Sequence, residues 1–278
     1  MKKILVPVDF SESSENALEV AATLAKKHNA EILVLHMLGL SEAVITKDAT
    51  QEFFEAKYYL KLAKKRFDMF LDRPWLKDIK ITQTVQNYII FGEINNVAKE
   101  RDIDLIVMGS HGTSGLSDIF VGSNTEKVVR TSEVPVLVIK ERSEHFKLRS
   151  MVFGYDFEQK SLQAYKNLLS FCEVLQVDLH LVYVNLHGVK FLSSEEMKEK
   201  INEFYNFANL GKPDAIPQVT YICDYSVEKG IYYHAEEIDA DAITVITNGR
   251  SGLAHFFKGS IGEKIANRAS LPVLTLKV

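Results

Sequence analysis

The stretch of sequence that decides the fold is LIVMGSHGTSGLSDIFVGSNTEKVVRTSEVPVLVI, residues 105–139. Its first residues, 105–108, form an apolar run that is typical of a buried strand in a parallel sheet. A glycine-bearing loop follows, then a segment at 122–132 with helical spacing, and then a second apolar run at 136–139. The stretch therefore predicts a strand, a loop, a helix and a strand, in that order.

The loop and the start of the helix predict an anion-binding site. Glycine lets a backbone approach a phosphate closely, and Gly122 and Ser123 stand where the helix should begin. The first N–H groups of a helix have no partner within it, and the helix dipole makes that end positive. The hydroxyls of Ser123 and Thr125 either cap the helix or bind phosphate. The alternative is a glycine-rich turn with an ordinary serine cap. No Walker A pattern occurs in the segment, so the prediction includes no P-loop lysine.

Length, composition and charge are those of a globular protein of one large domain or two smaller ones. The chain has 278 residues, of which 46% are hydrophobic and 25% charged. A net charge of −4 argues against nucleic-acid binding, which usually leaves a basic footprint. The start of the chain is a poor signal peptide, and no stretch is apolar for long enough to span a bilayer. We therefore expect a cytoplasmic protein that does not bind membranes. Its two cysteines, Cys172 and Cys223, have no metal or redox spacing and are expected to be buried free thiols.

The rest of the first half alternates between strand and helix patterns. Apolar runs at 4–8 and 31–38 predict two buried strands, and the alternating pattern at 81–85 predicts an edge strand. A helical stripe covers about 50–71, with shorter helical segments near 11–25 and 92–101. Strands that alternate with helices predict a parallel α/β sheet.

The second half repeats the first. Asp156 follows Asp9 by 147 positions, and Gly249, Gly252, Gly259 and Ser260 each follow a counterpart in the first half by 137 positions. The second copy is therefore shorter in its middle, and we place the shortening at the long helix, here about 193–207. That helix opens with the capping-box pattern Ser193-x-x-Glu196. A charged linker at 141–147 separates the copies. We predict two tandem domains, 1–142 and 148–278.

These residues resemble the universal stress protein family. The matching pieces include VPVDFS at 6–11, LHM at 35–37, LIVMGSHG at 105–112 and VPVLV at 134–138. The nucleotide pattern of the family, G-x2-G-x9-G-[S/T], is met by Gly109, Gly112, Gly122 and Ser123. The resemblance implies two α/β domains of the adenine-nucleotide alpha-hydrolase-like fold. Each would be a five-stranded, mostly parallel sheet of order 3-2-1-4-5, sandwiched by helices. It also implies that the two domains pair through their last strands as an intrachain pseudo-dimer.

The resemblance also implies a site for an adenine nucleotide in domain 1. In nucleotide-binding members the aspartate after strand one lies beside the adenosine, and Asp9 matches it. The residue after the histidine of strand two contacts adenine through its backbone, and Met37 matches it. The loop glycines approach the nucleotide, and the last glycine, the serine and the residues after it hold phosphates. The implied binding residues are Pro7, Val8, Asp9, Met37, Met108, Gly109, His111, Gly112, Gly122, Ser123, Asn124 and Thr125.

The second copy departs from this pattern. Ile246 stands where domain 1 has Gly109, and Tyr183-Val184 replaces His36-Met37. Either domain 2 keeps an altered second site, or it is a degenerate domain that serves packing. The altered site would comprise Asp156, Val184, Gly249, Arg250, Gly252, Gly259 and Ser260. Because Ile246 adds bulk where the backbone should approach the ligand, we expect one nucleotide per chain rather than two.

Three hypotheses for the function follow. The first is a binding module, in which domain 1 binds ATP (or AMP or ADP) with Mg²⁺ and acts as a stress-response sensor or switch. The second is a slow ATPase or autophosphorylating enzyme at the same site. We rank it second because no catalytic residue is evident for phosphoryl transfer. The third is a non-nucleotide protein that binds another small ligand or serves as a scaffold. A homodimer of the tandem is compatible with all three.

Overall fold

A computed structural model of the chain describes residues 1–38, 49–87, 93–110, 123–143, 145–189, 191–208, 218–247 and 271–277. The chain divides into two compact units, residues 1–146 and residues 147–278, and each is described by itself. We call them unit 1 and unit 2.

Unit 1 is a parallel sheet of five strands with helices between them. The strands are β1 (Lys3–Val8), β2 (Glu31–Leu38), β3 (Ile81–Asn87), β4 (Leu105–Gly109) and β5 (Val136–Ile139). The helices are α1 (Glu12–His28), α2 (Ala49–Phe70), α3 (Glu93–Glu100) and α4 (Ser123–Thr131), and a short 3-10 turn covers Pro74–Leu76. The strands lie in the order β3-β2-β1-β4-β5 and all pairs are parallel. The predicted strand order is confirmed, and β3 is an edge strand of this order.

Unit 2 repeats the arrangement. Its strands are β6 (Ser150–Gly154), β7 (Asp178–Leu186), β8 (Val219–Asp224), β9 (Ala242–Thr247) and β10 (Val273–Lys277). Its helices are α5 (Leu162–Leu175), α6 (Ser194–Ala208) and α7 (Val227–Glu237), and a 3-10 turn covers Gln159–Ser161. The order is β8-β7-β6-β9-β10, again with parallel pairs.

The strand registers of the two units correspond residue by residue. Ile4 pairs with Leu105 in unit 1, and Met151 pairs with Ala242 in unit 2. On the other side of β4, Gly109 pairs with Ile139, and on the other side of β9, Ile246 pairs with Leu276. These pairs reproduce the offsets of 147 and 137 positions found in the sequence. Ile246 is therefore the structural counterpart of Gly109.

The cores differ in the size of their side chains. Val6 of β1 and Leu18 of α1 are completely buried in unit 1, and their counterparts Phe153 and Tyr165 are completely buried in unit 2. Around these two rings lie Tyr155, Phe157, Phe204 and Tyr205, with ring centroids 4.9 to 6.3 Å apart. Burial of each such side chain stabilises the fold by about 1.5–3 kcal/mol. At these two positions unit 2 therefore has aromatic side chains where unit 1 has aliphatic ones.

The long helix is where the second copy is shorter. Helix α6 has 15 residues, whereas α2 has 22. The Ser193 backbone N–H donates to Glu196 Oε2 at 2.7 Å, and the Glu196 N–H donates to Ser193 Oγ at 3.2 Å. The predicted capping box is confirmed.

The cysteine prediction is only half right. Cys172 is buried in α5, and burial raises the pKa of its thiol to about 12. Cys223 is exposed, because it lies on β8 at the edge of the unit 2 sheet, with its side chain on the outer face. Among the described residues, no helix is both long enough and apolar enough to cross a membrane.

Candidate functional site

The central crevice of unit 1 opens between β1 and β4. Ladder pairs join these strands at Ile4–Leu105 and Leu5–Ile106, and the described ladder ends there. The chain order of the sheet reverses at this point, and ligands of open α/β sheets bind beyond the carboxyl ends of the strands at such a reversal. Pro7, Val8 and Met108 lie in the carboxyl-terminal halves of these two strands, and Val8 and Met108 are buried.

Asp9 follows β1 and organises the start of α1. Its Oδ1 accepts hydrogen bonds from the Ser11 backbone N–H at 3.0 Å and from the Ser11 hydroxyl at 2.5 Å. Ser11 Oγ in turn accepts from the Ser14 N–H at 3.2 Å, which caps the helix. Between Asp9 and Ser11, Phe10 has a φ of 66°, a conformation that is uncommon for a side chain of this size. Asp9 is thus held at the mouth of the crevice by local contacts.

His36 of β2 is a structural residue of the crevice wall. Its Nδ1 lies 2.8 Å from the Val8 carbonyl oxygen, and its ring packs on Phe10 with centroids 4.4 Å apart. Desolvation lowers the pKa of this imidazole, so the neutral ring donates from Nδ1 to the carbonyl. The imidazole is therefore hydrogen-bonded within the fold.

Met37 extends β2 past the end of its neighbour. The Glu31 N–H donates to Lys2 on the β1 side, and the Ile32 N–H donates to Lys80 on the β3 side. Because backbone groups alternate along a strand, the groups of Met37 face the β1 side. Strand β1 ends at Val8, which pairs with His36. The Met37 carbonyl is therefore directed beyond the end of β1, where it can accept a hydrogen bond from an adenine amino group.

Gly109 lies against the first turn of α1. A Cβ added to it would stand 2.2 Å from Ser13 Oγ and 2.6 Å from the Ser13 carbonyl oxygen. Real Cβ atoms do not make contacts this close. Glycine is therefore required here by the packing of α1 on β4, a reason that the motif spacing does not reveal. Ser13 itself is a contact of the site region that sequence reasoning missed.

Thr125 joins the two ends of the loop that follows β4. Its hydroxyl donates to the Gly109 carbonyl oxygen at 2.8 Å, and the side chain is buried. This bond holds the first turn of α4 directly at the carboxyl end of β4. Ser123, Asn124 and Thr125 are the first residues of α4, so their N–H groups belong to the positive end of the helix. This bond is neither of the two roles predicted for the Thr125 hydroxyl, which were to cap the helix or to bind phosphate.

Part of the predicted site lies outside the described residues. These positions are His111, Gly112 and Gly122 in unit 1 and Gly249, Arg250, Gly252, Gly259 and Ser260 in unit 2; the Ser123 side chain is also outside them. Among the residues that the structure does describe, no group of three or more His, Cys, Asp or Glu side chains could hold a metal ion. The structure thus brings together Asp9, Met37, Gly109 and the start of α4 around one crevice.

Unit 2 has a cavity of about 380 Å³ at the corresponding place. It lies at the carboxyl ends of β6, β7 and β9, and Asp156, Val184 and Ile246 are among its lining residues. Asp156 is exposed, and its Oδ1 accepts from the Glu158 N–H at 3.1 Å. Asp156 and Val184, two of the residues predicted for an altered second site, therefore share one cavity with the isoleucine that replaces Gly109.

The start of α5 explains how unit 2 accommodates that isoleucine. Helix α1 begins at Glu12, whose counterpart is Gln159, but α5 begins only at Leu162. A 3-10 turn, Gln159–Ser161, replaces the first turn of the helix. Ser161 of this turn and Ile246 of β9 both line the cavity, so open space lies where α1 touches Gly109 in unit 1.

Comparison with known proteins gives the same family for both halves of the chain. The model of the universal stress protein family matches residues 1–140 and again residues 147–277. A universal stress protein of Methanocaldococcus jannaschii is 32% identical over 160 residues, which cover 51% of this chain and 96% of that protein. A universal stress protein of Synechocystis is 23% identical over 301 residues and matches the full length of both proteins.

Solved structures show the same fold over the whole chain. The crystal structure of a universal stress protein from Archaeoglobus fulgidus covers 99% of this chain and 96% of its own, with a TM-score of 0.62 and 23% identity. A putative universal stress protein from Pseudomonas aeruginosa covers 100% of this chain and 93% of its own, with a TM-score of 0.57 and 16% identity. With two matches to the family model that together span nearly all of its length, the chain belongs to the universal stress protein family as a tandem of two family domains.

Proposed function

We propose that unit 1 binds an adenine nucleotide, ATP or else AMP or ADP, and that the protein acts as a nucleotide-dependent sensor or switch in a stress response. The observation that carries this proposal is the hydrogen bond of 2.8 Å from Thr125 Oγ1 to the Gly109 carbonyl. It sets the positive end of α4 at the crevice between β1 and β4, which is where a phosphate would find unpaired N–H groups.

The opposite wall of the crevice suits the adenosine part of the ligand. Met37 directs its carbonyl past the end of β1, and Asp9 lies beside it at the end of β1. A carbonyl acceptor selects an amino group, and a carboxylate accepts hydrogen bonds from ribose hydroxyls. The described residues therefore fit a nucleotide with its base near β2 and its phosphates near α4. Magnesium bound to the phosphates would offset their charge, since Mg²⁺ is usually held by a few protein ligands together with phosphates and water.

Two measurements test the proposal. Mass spectrometry of the freshly purified chain should detect a co-purified adenine nucleotide, and isothermal titration with ATP and Mg²⁺ should give a stoichiometry near one per chain. A ligand at 100 times its dissociation constant should also raise the free energy of unfolding by about 2.7 kcal/mol. If ATP neither binds nor stabilises the chain, the scaffold hypothesis replaces this one. Turnover of labelled ATP would instead favour the enzyme hypothesis.

The setting of this activity is also part of the proposal. We place the protein in the cytoplasm, with neither nucleic acid nor membrane as partner. The pairing of the two units through their last strands, and a homodimer of the tandem, stay predictions from the family resemblance.

A further inference from the structure

Helix α2 carries a concentration of positive charge. Residues 57–66 of this helix read KYYLKLAKKR and include no acidic residue. The cationic residues of this segment are Lys57, Lys61, Lys64, Lys65 and Arg66. The chain as a whole has a net charge of −4, so this density of positive charge is local to one helix.

Helical geometry directs the four lysines of this segment away from the core. Ala63, Phe67 and Phe70 are buried and define the inner side of α2. With about 3.6 residues per turn, the four lysines project away from that side, and all four are exposed. Arg66 differs from them, because its guanidinium lies over the Phe10 ring, 5.8 Å from the ring centroid. The outer face of α2 therefore presents four lysines to solvent.

These lysines have no acidic partner in the part of the chain that the structure describes. None of the ion pairs there includes Lys57, Lys61, Lys64 or Lys65, although Asp68 lies one turn beyond Lys64. Lys57, Lys61 and Lys65 follow one another at intervals of four positions, a spacing at which like charges destabilise a helix. A partner with negative charge would remove this repulsion.

The duplicated helix of unit 2 shows that the fold does not require this charge. Helix α6 follows the second strand of unit 2, as α2 follows the second strand of unit 1. Its acidic residues are Glu195, Glu196, Glu199 and Glu203, and its lysines are Lys198 and Lys200. Since a helix with more acidic than basic residues occupies the same position in the other copy, packing alone does not account for the lysines of α2.

Large apolar side chains accompany the lysines. Tyr58 is 65% exposed and Met69 is 66% exposed. They lie about three helical turns apart, so they share the outer face of α2 with Lys61 and Lys65. Tyrosine and methionine are enriched in the cores of protein interfaces, where methionine adapts to irregular surfaces. The outer face therefore offers two apolar contacts along a row of positive charges.

This combination suits an acidic protein segment better than a membrane or a nucleic acid. A helix that lies in a membrane inserts a wide apolar face, whereas the apolar face of α2, with Ala63, Phe67 and Phe70, is buried in unit 1. Nucleic-acid binding usually needs a broad basic surface, and the chain is acidic overall. An acidic segment as long as the lysine row would match the charges and cover the apolar side chains.

We propose that the outer face of α2 docks an acidic amphipathic helix of a partner protein. Carboxylates of that helix would pair with the four lysines, and its apolar side chains would cover Tyr58 and Met69. The face is opposite to Phe67 and Phe70, which pack on Phe10 with ring centroids 5.2 and 5.5 Å away. The docking surface is thus separate from the crevice of unit 1, and the proposal does not rest on nucleotide binding.

A synthetic peptide tests the charge preference on the intact chain. The probe is a fluorescein-labelled helix of glutamate and leucine, with about 15 residues so that it is helical in water. The control peptide has glutamine in place of every glutamate. In fluorescence anisotropy titrations we expect the acidic peptide to bind at least about tenfold more tightly than the control. Equal binding of the two peptides, or no binding of the acidic one, would overturn the proposal.

Two further probes represent the other classes of partner. Vesicles of phosphatidylglycerol present an anionic membrane, and an oligothymidylate presents a nucleic-acid backbone. We expect both to compete poorly with the acidic peptide for the chain. Stronger binding of either one than of the peptide would overturn the choice of a protein partner.

Two charge reversals on corresponding helices locate the bound peptide. Lys61→Glu should lower the affinity for the acidic peptide at least about tenfold, because a carboxylate then stands in the middle of the lysine row. Lys198→Glu is the matched control, since Lys198 is an exposed lysine of α6 and the variant has the same net charge. It should leave the affinity unchanged. Equal losses in the two variants would mean that only net charge matters, and would contradict the proposal.

The stability of Lys61→Glu separates loss of the surface from loss of the fold. The new carboxylate would stand four positions from Lys57 and from Lys65, a favourable spacing for ion pairs on a helix. The unfolding temperature should therefore stay unchanged or rise while the peptide affinity falls. A folded Lys61→Glu protein that binds the acidic peptide as tightly as the parent overturns the proposal. None of these readouts uses ATP, so they remain valid whether or not unit 1 binds a nucleotide.

Discussion

Gly109 and Ser13 are in contact so close that a Cβ on Gly109 would stand 2.6 Å from the Ser13 carbonyl oxygen. The contact is between β4 and the first turn of α1, at the mouth of the crevice where the nucleotide is proposed to bind. The glycine of the family motif is therefore needed for helix packing in this chain as well as for its proposed approach to a ligand. A bulky substitution at Gly109, such as isoleucine, would disturb α1 and could not report on nucleotide binding alone.

Gly109→Ala should destabilise unit 1 by about 1–3 kcal/mol, the usual cost of overpacking a well-packed site. The reason is that the neighbouring atoms include backbone atoms of Ser13, which move only if the helix moves. Urea denaturation measures the change. Ser13→Ala is the control background. Ser13→Ala removes the hydroxyl nearest to the added Cβ of residue 109 but leaves the Ser13 carbonyl in place. It should therefore not restore the stability that Gly109→Ala loses. Full rescue would show that the side chain alone makes the conflict.

Thr125→Val should lower the free energy of unfolding by about 1–3 kcal/mol, because it leaves the buried Gly109 carbonyl without its donor. It should also weaken ATP binding, since the start of α4 is no longer tied to β4. Thr131→Val is the matched control on the same helix. The Thr131 hydroxyl donates to the Lys127 carbonyl and accepts from Asn95 Nδ2 at 2.7 Å, both on an exposed surface, so this change should cost less than Thr125→Val, about 0.5 kcal/mol. Equal effects of the two substitutions would argue against a special role for Thr125.

Gly122→Val should abolish ATP binding while the protein stays folded, because the side chain would block the approach of the backbone to phosphate. Gly259→Val makes the same change at the counterpart in unit 2 and should leave ATP binding intact if only unit 1 binds nucleotide. Ser123→Ala should be milder, since a lost hydroxyl bond is worth roughly 0.5–1.5 kcal/mol. Isothermal titration compares the three variants. Unchanged affinity in a folded Gly122→Val protein rules out the assigned phosphate site.

His36 should make unit 1 less stable as the pH falls below about 6.5. Burial lowers its pKa in the folded protein, and Arg66 adds to this, while the Val8 carbonyl and Asp9 oppose it. The unfolded chain therefore takes up the proton first, and the free energy of unfolding falls as protons are added. His36→Asn should flatten this dependence between about pH 7 and about pH 5.5.

A second histidine must be included in this experiment. The pKa of His28 is also lowered, chiefly by burial, so it contributes in the same direction. Carboxyl groups with lowered pKa values, such as Glu15, change the free energy of unfolding only below their ordinary pKa of 4.5. They therefore do not contribute to the pH dependence between about pH 7 and about pH 5.5. His28→Asn should flatten the curve in part, and the double variant should flatten it further. A His36→Asn protein with the slope of the parent would contradict the burial argument.

Much of the architecture could be predicted because it rests on local patterns. The alternation of apolar strands and helical stripes predicted the parallel sheet of each unit, and repeated glycines and aspartates predicted the duplication. The capping box of Ser193 and Glu196 was evident from three-residue spacing alone. The burial of Cys223 was predicted wrongly, because a local pattern does not show which face of a strand is covered. Strand β8 has an alternating pattern, and the sequence alone does not tell which face of an edge strand is covered.

The sequence by itself determined two things. It determined the strand order, through the family resemblance, and it determined which residues repeat between the two copies. Only the tertiary structure decided why Gly109 is a glycine and how Ile246 replaces it. Gly109 meets Ser13, which is 96 positions earlier in the chain, and Ile246 lines a cavity together with Ser161. These relations depend on how the start of a helix packs against a distant strand. The α-helical first turn of α1 contacts Gly109, whereas the 3-10 turn before α5 borders the cavity beside Ile246. Such a distance between remote segments leaves no pattern in the sequence of either one.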